Sequence, residues 1–338
     1  FKTKTKASLI SAVISGIIGI GMAFCGYGVW ALVAQMVLRQ LLYSLVLWVL
    51  NSWWPSWKIS ISSFKYMWGF GWKLLISGLL DRIWSEAYQG VVGKFYTPAT
   101  LGQYTRAQQF ASIFSSNITG IVQRVSFPVL ADIQDDKERM IEGYRKVIKI
   151  TMFVTAITML FLAAIAEPFI FCLIGPQWKQ AVNFLPVLCI SFSLYPLHAI
   201  NLNMLQVLGR SDLFLYIEII KKVVAIIPIS LGIFVGIYWM LIASVFTGFI
   251  AYLLNSFYTG QKLGYTSWKQ LKDIAPSYGI GFLVALAVYF IKFLDLNVWL
   301  VLSLQLIVGF SVIIIICEII RQEEYHEIKK IIFKMINR

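Results

Sequence analysis

Long apolar stretches alternate with short polar links along nearly the whole chain, and ten of the stretches are long enough to cross a bilayer as helices. Crossing the hydrocarbon core takes about 20 predominantly apolar residues in helical conformation. Because the links are short, the pattern predicts no extramembrane domain. The most polar link, residues 131–146, predicts a short surface helix capped by Asp135 or Asp136. The predicted spans are residues 5–25, 30–50, 66–95, 103–126, 147–166, 180–208, 212–236, 238–262, 275–293 and 298–320.

Two of these stretches, residues 72–95 and 103–124, carry polar side chains inside their apolar length. At about 100° per residue, each set of polar side chains falls on one side of its helix. A charge at mid-bilayer costs roughly a few kcal/mol, so such residues normally face a bundle interior or a water-filled cavity. The pattern therefore predicts that the chain encloses a polar cavity. The first set is Ser77, Asp81, Arg82, Ser85, Glu86, Tyr88 and Gln89; the second is Thr105, Gln109, Ser112, Ser116, Thr119 and Gln123, with Arg106, Asn117 and Arg124 on an adjoining line.

The composition excludes an ordinary soluble protein. The chain is 59% hydrophobic and 13% charged, whereas soluble domains average about 25% charged residues. Its net charge of +13 is spread between the apolar stretches, which indicates membrane orientation and not a nucleic-acid-binding patch. The positive-inside rule places most lysines and arginines, together with both ends of this chain, on the cytoplasmic side. Only Lys94, Lys179 and Lys292 fall on the opposite side.

Neither the cysteines nor any local motif indicates a metal site or catalysis. The four cysteines, Cys25, Cys172, Cys189 and Cys317, lie singly within apolar stretches and show no CxxC spacing. No motif has catalytic spacing. A membrane polymerase or ligase would need a large outward loop, and every outward link is short. The sequence therefore favours a membrane protein that is not an enzyme and that needs no cofactor.

Several short patterns, taken in order, resemble the bacterial polysaccharide and O-antigen exporters of the multidrug/oligosaccharidyl-lipid/polysaccharide (MOP) flippase superfamily. Each pattern alone is weak, but their order and spacing are specific and cover nearly the whole chain. The patterns are GYGVWALVAQ at 26–35, GKF at 93–95 with LGQYTRAQ at 101–108, FPVL at 127–130 with QDDKER at 134–139, GPQW at 175–178, and LGRSDLFLYIEIIKK at 208–222.

The resemblance implies an all-α, polytopic fold with two six-helix lobes facing each other across a central cavity. On that alignment, residues 1–63 hold the last two helices of the first lobe and a connecting loop, and residues 64–263 form the second lobe. Residues 264–320 hold two additional helices. Residues 321–338 form a basic amphipathic tail, expected to lie on the anionic inner leaflet. About four helices of the first lobe are expected ahead of this chain.

The resemblance also implies a function. Members of this group move oligosaccharide units linked to undecaprenyl pyrophosphate across the bacterial inner membrane by alternating access, for polysaccharide biosynthesis. The expected partners are that lipid-linked oligosaccharide, membrane lipids and glycan polymerase or assembly proteins, and no nucleic acid. A pyrophosphate carries roughly two to three negative charges and calls for fixed cations, of which arginine best matches phosphate geometry. Sugars call for amide, hydroxyl and aromatic groups.

The candidate cavity residues follow from this chemistry, and for each a structural role stays open. Arg39 pairs with the substrate or with a carboxylate such as Glu86. Asp81, Arg82 and Glu86 form a substrate or proton site, or they satisfy one another. Lys221 and Lys222 differ by 100° around their helix, so at most one of them is expected to face the cavity, and either can instead extend toward the cytoplasmic interface. His198 is interpreted as a packing residue. The full candidate set is Arg39, Asp81, Arg82, Glu86, Lys94, Arg106, Gln109, Ser116, Asn117, Arg124 and Lys222.

Two other functions remain open from the sequence. A cation-coupled multidrug or small-solute exporter of the same superfamily would need an acidic and aromatic cavity, whereas the intramembrane charges here include more basic than acidic residues. A scaffold for a glycan assembly complex would tolerate neutral substitutions in the cavity. Arg106, near the outer end of its helix, is the first candidate among the cations of the second lobe for contact with the substrate, with helix capping or neutralisation of Glu86 as its alternative role.

Overall fold

A computed structural model describes residues 2–51, 60–133, 136–294 and 296–336 of the chain. All regular structure in these ranges is helical. Two short 3₁₀ turns, Pro176–Trp178 and Phe290–Phe293, join longer helices. The helices are α1 Lys2–Phe24, α2 Val29–Leu50, α3 Ile61–Phe95, α4 Pro98–Asp132, α5 Lys137–Ala164, α6 Ala166–Ile174, α7 Lys179–Ser193, α8 Tyr195–Val207, α9 Ser211–Val224, α10 Ile226–Phe234, α11 Ile237–Leu263, α12 Ser267–Tyr289, α13 Val298–Ile320 and α14 Glu323–Ile336.

Seven helical segments of the described residues are long and apolar enough to cross a membrane. They are Thr3–Phe24, Val29–Leu50, Lys137–Ala164, Pro176–Val207, Ile237–Leu263, Ser267–Phe293 and Val298–Ile320. The other three predicted spans are α3, α4 and the pair α9–α10. Helices α3 and α4 are each 35 residues long but are more polar, and α9–α10 is divided into two short helices. The chain is thus an all-α, multi-pass membrane protein.

The polar link at residues 131–146 was predicted as a separate surface helix, and that prediction is wrong. Helix α4 runs on to Asp132, and α5 begins at Lys137 and continues without a break to Ala164. The predicted cap at Asp136 is present, since its Oδ1 accepts a hydrogen bond from the Arg139 N–H at 3.2 Å. Asp135 lies outside the described residues. The polar link is the end of one long helix and the first turns of the next.

Two predicted spans are bent where prolines follow a helix end. The span predicted at 180–208 divides at Leu194, just before Pro196, and the span predicted at 212–236 divides at Ala225, before Pro228. Proline lacks an N–H and clashes with the preceding turn, so a helix ends or kinks ahead of it.

The chain divides into two compact units, residues 1–65 and 66–338. In the first unit, α1 and α2 form an antiparallel pair with small residues at the contact. A Cβ on Gly19 would stand 2.9 Å from the Gln35 Cβ, so only glycine fits there. Ser11, Ser15 and Ala31 are buried in the same unit. Small residues of this kind let membrane helices approach closely.

The second unit is a helical bundle that contains a buried hydrogen-bonded polar network near the start of α5 and α12 and the end of α11. Asn201 of α8 accepts through Oδ1 from Tyr144 Oη at 2.7 Å, Thr259 Oγ1 at 2.9 Å and Gln270 Nε2 at 3.2 Å. All four residues are fully buried. Because they come from α5, α8, α11 and α12, one amide joins four helices. The network fixes the wall of the bundle against which the site described next is built.

Candidate functional site

A series of linked cavities lies beside α3, within the second unit. One cavity of about 290 Å³ and one of about 410 Å³ share five lining residues, Asp81, Tyr195, His198, Lys221 and Ala251. A third, of about 450 Å³, shares its amide side chains with the second. Their walls come from α3, α4, α7, α8, α9 and α11. The lining is mainly apolar and carries a few charged and amide side chains. Of the polar faces predicted on α3 and α4, the residues that line these cavities are Ser77, Asp81, Tyr88, Gln123 and Arg124.

A cluster of four charges occupies the middle of this space. Lys222 Nζ lies 2.7 Å from Asp81 Oδ1 of α3 and 3.5 Å from Glu218 Oε2 of its own helix. Lys221 pairs with the other oxygen of Glu218. Glu218 is nearly fully buried, and Lys222 is 13% exposed, whereas Asp81 is 68% exposed. At 1.5 Å per residue, Lys222 lies about 17 Å along α9 from Ser211, the first residue of the helix. The cluster is therefore well inside the bundle.

Both neighbouring lysines line the cavity, although the sequence led us to expect only one of them. The reason is local helix geometry. Glu218 stands three residues before Lys221 and four before Lys222, and both spacings bring side chains together on a helix. The two ammonium groups approach the Glu218 carboxylate from opposite sides. Both can therefore reach it, although Lys221 and Lys222 are 100° apart around the helix.

Helix α3 is attached to α9 at this cluster by two contacts to one residue. Besides the Asp81 ion pair, the Trp84 indole N–H donates to the Lys222 carbonyl oxygen at 3.1 Å. Farther along α3, Tyr96 Oη donates to the Gly232 carbonyl oxygen of α10, and Val92 is fully buried. The C-terminal end of α3 is thus packed into the bundle core, while its middle is held by a charge pair.

Arg124 lines the third cavity and has no acidic partner among the described residues. Its side chain is exposed, and its Nε donates to the Gly120 carbonyl oxygen at 2.8 Å. The neighbouring side chains are the amides of Gln123, Asn203 and Gln206. A guanidinium beside three amides offers charge to a phosphate and hydrogen bonds to a sugar.

The remaining predicted residues lie outside these three cavities. Arg82 and Glu86 pair with each other at 3.2 Å on the exposed face of α3, as their spacing predicted, but Asp81 pairs with Lys222 instead. Lys94, Ser116 and Asn117 are exposed. Arg39 is exposed on α2 of the first unit. Their assignment to a substrate site stays a prediction.

Arg106 lies near the start of α4, where its environment differs from both alternatives weighed from the sequence. Its guanidinium donates to Gln109 Oε1 at 2.9 Å and stands 5.8 Å from the centre of the Trp178 ring. Glu86, the carboxylate it was expected to neutralise, pairs with Arg82. The sequence placed Arg106, Asn117 and Arg124 on one line of α4. Of the three, only Arg124 lines the linked cavities.

Several lining residues were not predicted. They are aromatic or amide side chains from α3, α4 and α8. Because they are uncharged, they lack the intramembrane charge by which the other candidates were recognised. Asn203 and Gln206 belong to an amide-rich run, NLNMLQ at 201–206, that could have drawn attention to α8. The unpredicted lining residues are Trp84, Tyr104, Gln108, Tyr195, Asn203 and Gln206.

An all-α multi-pass bundle with a charged cavity inside it defines a membrane transporter fold. The solved structure titled "Lipid II flippase MurJ, inward closed conformation" has this fold, with a TM-score of 0.68 at 16% sequence identity over 93% of this chain and 67% of that chain. Residues 1–183 match the family described as "Polysaccharide biosynthesis protein". The chain belongs to this polysaccharide biosynthesis family.

Curated relatives agree with the family. The chain is 29% identical over 219 residues to the teichuronic acid biosynthesis protein TuaB of Bacillus subtilis (strain 168), covering 64% of this chain and 45% of that protein. It is 24% identical over 232 residues to the succinoglycan biosynthesis transport protein ExoT of Rhizobium meliloti (strain 1021), covering 69% and 47%. The chain thus spans about half the length of the curated relatives it matches.

Proposed function

We propose that the protein is a flippase that moves an oligosaccharide linked to undecaprenyl pyrophosphate from the inner to the outer leaflet of the bacterial inner membrane. It works by alternating access, for the biosynthesis of a surface polysaccharide, and leaves the substrate chemically unchanged. The observation that carries the proposal is the polar space inside an otherwise apolar bundle. A protein that handled only lipid would have no need for buried lysines, an arginine and amides there.

The chemistry of the linked cavities suits both halves of such a substrate. Arg124 and the two lysines of α9 supply fixed positive charge for phosphate oxygens. The amides of Gln123, Asn203 and Gln206 and the hydroxyls and rings of Tyr88 and Tyr195 suit sugars. The printed names of two relatives, a teichuronic acid biosynthesis protein and a succinoglycan transport protein, support a polysaccharide as the product.

A cation-coupled exporter of the same superfamily fits the cavity less well. Within the described residues, Asp81 and Glu218 are the carboxylates that line it, and each is paired with a lysine. A cationic drug or metal ion would have to displace a tethered ammonium to bind there. Positive charge at Arg124 would repel it further.

The proposal is tested in cells of the source organism from which the gene has been removed. We expect loss of the surface polysaccharide together with accumulation of the lipid-linked oligosaccharide on the cytoplasmic face of the inner membrane. The intact gene supplied on a plasmid should reverse both effects. If the polysaccharide is lost without accumulation of the lipid-linked unit, the protein acts at another step and the proposal fails.

A further inference from the structure

We infer that Lys222 is an exchangeable anion-binding group, which holds α3 through Asp81 until a phosphate of the substrate takes the place of that carboxylate. The inference rests on the proposed function. It adds which cation receives the phosphate and how its arrival is transmitted to a helix.

The Asp81 carboxylate is the member of the cluster that can leave. Its side chain is 68% exposed, so it is accessible to a solute in the cavity and can be hydrated once unpaired. Lys222 is 13% exposed and remains within the wall of α9. A phosphate competes for the same ammonium with more charge and more acceptor oxygens than one carboxylate.

Glu218 makes the exchange feasible because the Lys222 ammonium still has a carboxylate partner when Asp81 leaves. Its Oε2 is buried and has no hydrogen-bond partner, and it lies 3.5 Å from Lys222 Nζ, within ion-pair range but beyond an ordinary hydrogen bond. When Asp81 leaves, this oxygen remains as a second acceptor for the same ammonium. Glu218 is therefore a positioning residue.

The charges that remain after Asp81 leaves favour an anion. Lys221 already neutralises the other oxygen of Glu218. Without Asp81, the α9 cluster holds two ammonium groups and one carboxylate, and so presents one net positive charge to the cavity. The cavities on either side, about 290 and 410 Å³, both reach Lys221 and Asp81, which leaves room for a phosphate beside the cluster.

Exchange at Lys222 also loosens α3. The ion pair ends on the Lys222 ammonium and is lost on exchange, whereas the Trp84 hydrogen bond ends on the Lys222 backbone carbonyl oxygen and is not broken by it. The C-terminal end of α3 is held separately by Tyr96 and the buried Val92. Repulsion between the bound phosphate and Asp81 pushes the middle of α3 away from α9. The C-terminal end then acts as the fixed end about which α3 swings.

Pulsed electron paramagnetic resonance on the purified protein tests this inference, with inorganic pyrophosphate as the probe. Spin labels are placed at Leu79 of α3 and Val223 of α9, both exposed, after the four cysteines are replaced by alanine. Pyrophosphate should lengthen the distance between the labels, while potassium chloride at equal ionic strength should not. Asp81→Asn should show the longer distance without pyrophosphate and should bind pyrophosphate more tightly, because the competing carboxylate is gone.

Two further variants serve as controls. Lys222→Gln should bind pyrophosphate more weakly and lose the distance response. Glu142→Gln removes an exposed carboxylate of α5 that lies outside the cavities, and should behave as the unmodified protein. A size-exclusion profile that matches the parent confirms that each variant is folded.

The inference is overturned if saturating pyrophosphate leaves the distance unchanged, if pyrophosphate does not bind, or if Asp81→Asn keeps the short distance. These outcomes are separable from failure of the proposed function. If cells lacking the gene accumulate no lipid-linked oligosaccharide while pyrophosphate still moves α3, the anion site stands and the flippase proposal falls. If the lipid-linked unit accumulates while pyrophosphate has no effect, only the anion site falls.

Discussion

Arg124 is the cation of the linked cavities that has no acidic partner in the described part of the chain, so its charge is available to a substrate. Its position, eight residues or about 12 Å before the end of α4, puts it toward the end of the cavities where α9 begins. There it stands beside Gln123, Asn203 and Gln206. An anion that enters from that end would meet Arg124 before it meets the α9 lysines.

Replacement of Arg124 should therefore impair export. We expect Arg124→Ala to reduce surface polysaccharide strongly at normal protein levels, and Arg124→Lys to restore it partly, because lysine keeps the charge but loses the fork that matches phosphate. Polysaccharide is measured at the cell surface, with membrane protein abundance measured by immunoblot. Arg210→Ala is a matched control, since Arg210 is bound to Asp212 in a link outside the cavities. Full export by Arg124→Ala would remove Arg124 from the substrate path.

Charged residues of the cavity could be predicted from the sequence, but several of the neutral ones could not. Asp81, Lys222 and Arg124 could be predicted because an intramembrane charge needs a reason to be there. Tyr195, Asn203 and Gln206 could not, because neutral residues on a membrane helix are equally compatible with packing. Their role depends on which face of α8 lines the cavity, and the packing of the bundle sets that face.

Helix α14 is joined to the bundle by ion pairs as well as by apolar packing. Lys146 of α5 contacts Glu327 at 2.6 Å, and Lys149 contacts Glu323 and Glu324, each at 2.9 Å. Tyr325 and Ile328 pack against a core formed by α5, α12 and α13. The tail was expected on the lipid surface; here part of its apolar face is directed to the protein. The alternation of charged and apolar residues predicted the helix but not its partner.

Acid should loosen this attachment. The hydrogen bond and charge of Lys149 lower the pKa of Glu323 below its usual value. A lowered pKa stabilises the docked state above the ordinary glutamate pKa of about 4.3, and that contribution is lost as the pH falls through the lower value in the folded protein. Hydrogen exchange of α14 amides, corrected for the intrinsic rate, should be faster at about pH 3, well below the ordinary glutamate pKa, than at neutral pH. Lys149→Gln should speed it already at neutral pH. Equal protection in all three cases would contradict the ion-pair attachment.

The buried network around Asn201 makes a second prediction about how the helices are held together. Tyr144→Phe removes one donor, but the Asn201 oxygen still accepts from Thr259 and Gln270, so we expect a loss of about 0.6 kcal/mol, typical of a hydrogen bond between membrane helices. Asn201→Ala leaves several buried groups without partners and should cost about 1–3 kcal/mol. Unfolding in detergent measures both. If the two variants are equally stable, the network does not join the four helices.

For the whole molecule, the apolar pattern predicted the all-helical, multi-pass architecture because the bilayer imposes one dominant constraint on length and polarity. It missed the bends at Leu194 and Ala225 and the continuation of α5 through residues 137–146. Those features depend on how a proline or a cap acts within a packed bundle. The resemblance to polysaccharide exporters supplied the family, which the match over residues 1–183 shows.

The orientation of the bundle is a separate prediction. The excess of lysine and arginine on one side places the link before α5 in the cytoplasm and the turn before α4 outside. With the four native cysteines replaced by alanine, an impermeant thiol reagent applied to intact cells should label Ala99→Cys but not Glu138→Cys, both of which are exposed positions. Permeabilised cells should label both. Labelling of Glu138→Cys from outside would reverse the orientation.

The central claim is that the protein moves a lipid-linked oligosaccharide through its polar cavity. The most direct measurement reconstitutes the protein into liposomes that contain a fluorescent oligosaccharide linked to undecaprenyl pyrophosphate, and follows the exposure of the sugar to a membrane-impermeant glycosidase. The protein should make the inner-leaflet pool accessible, whereas Arg124→Ala should not. If that pool stays protected with the parent protein, or if both proteins expose it equally, the account of transport through this cavity is wrong.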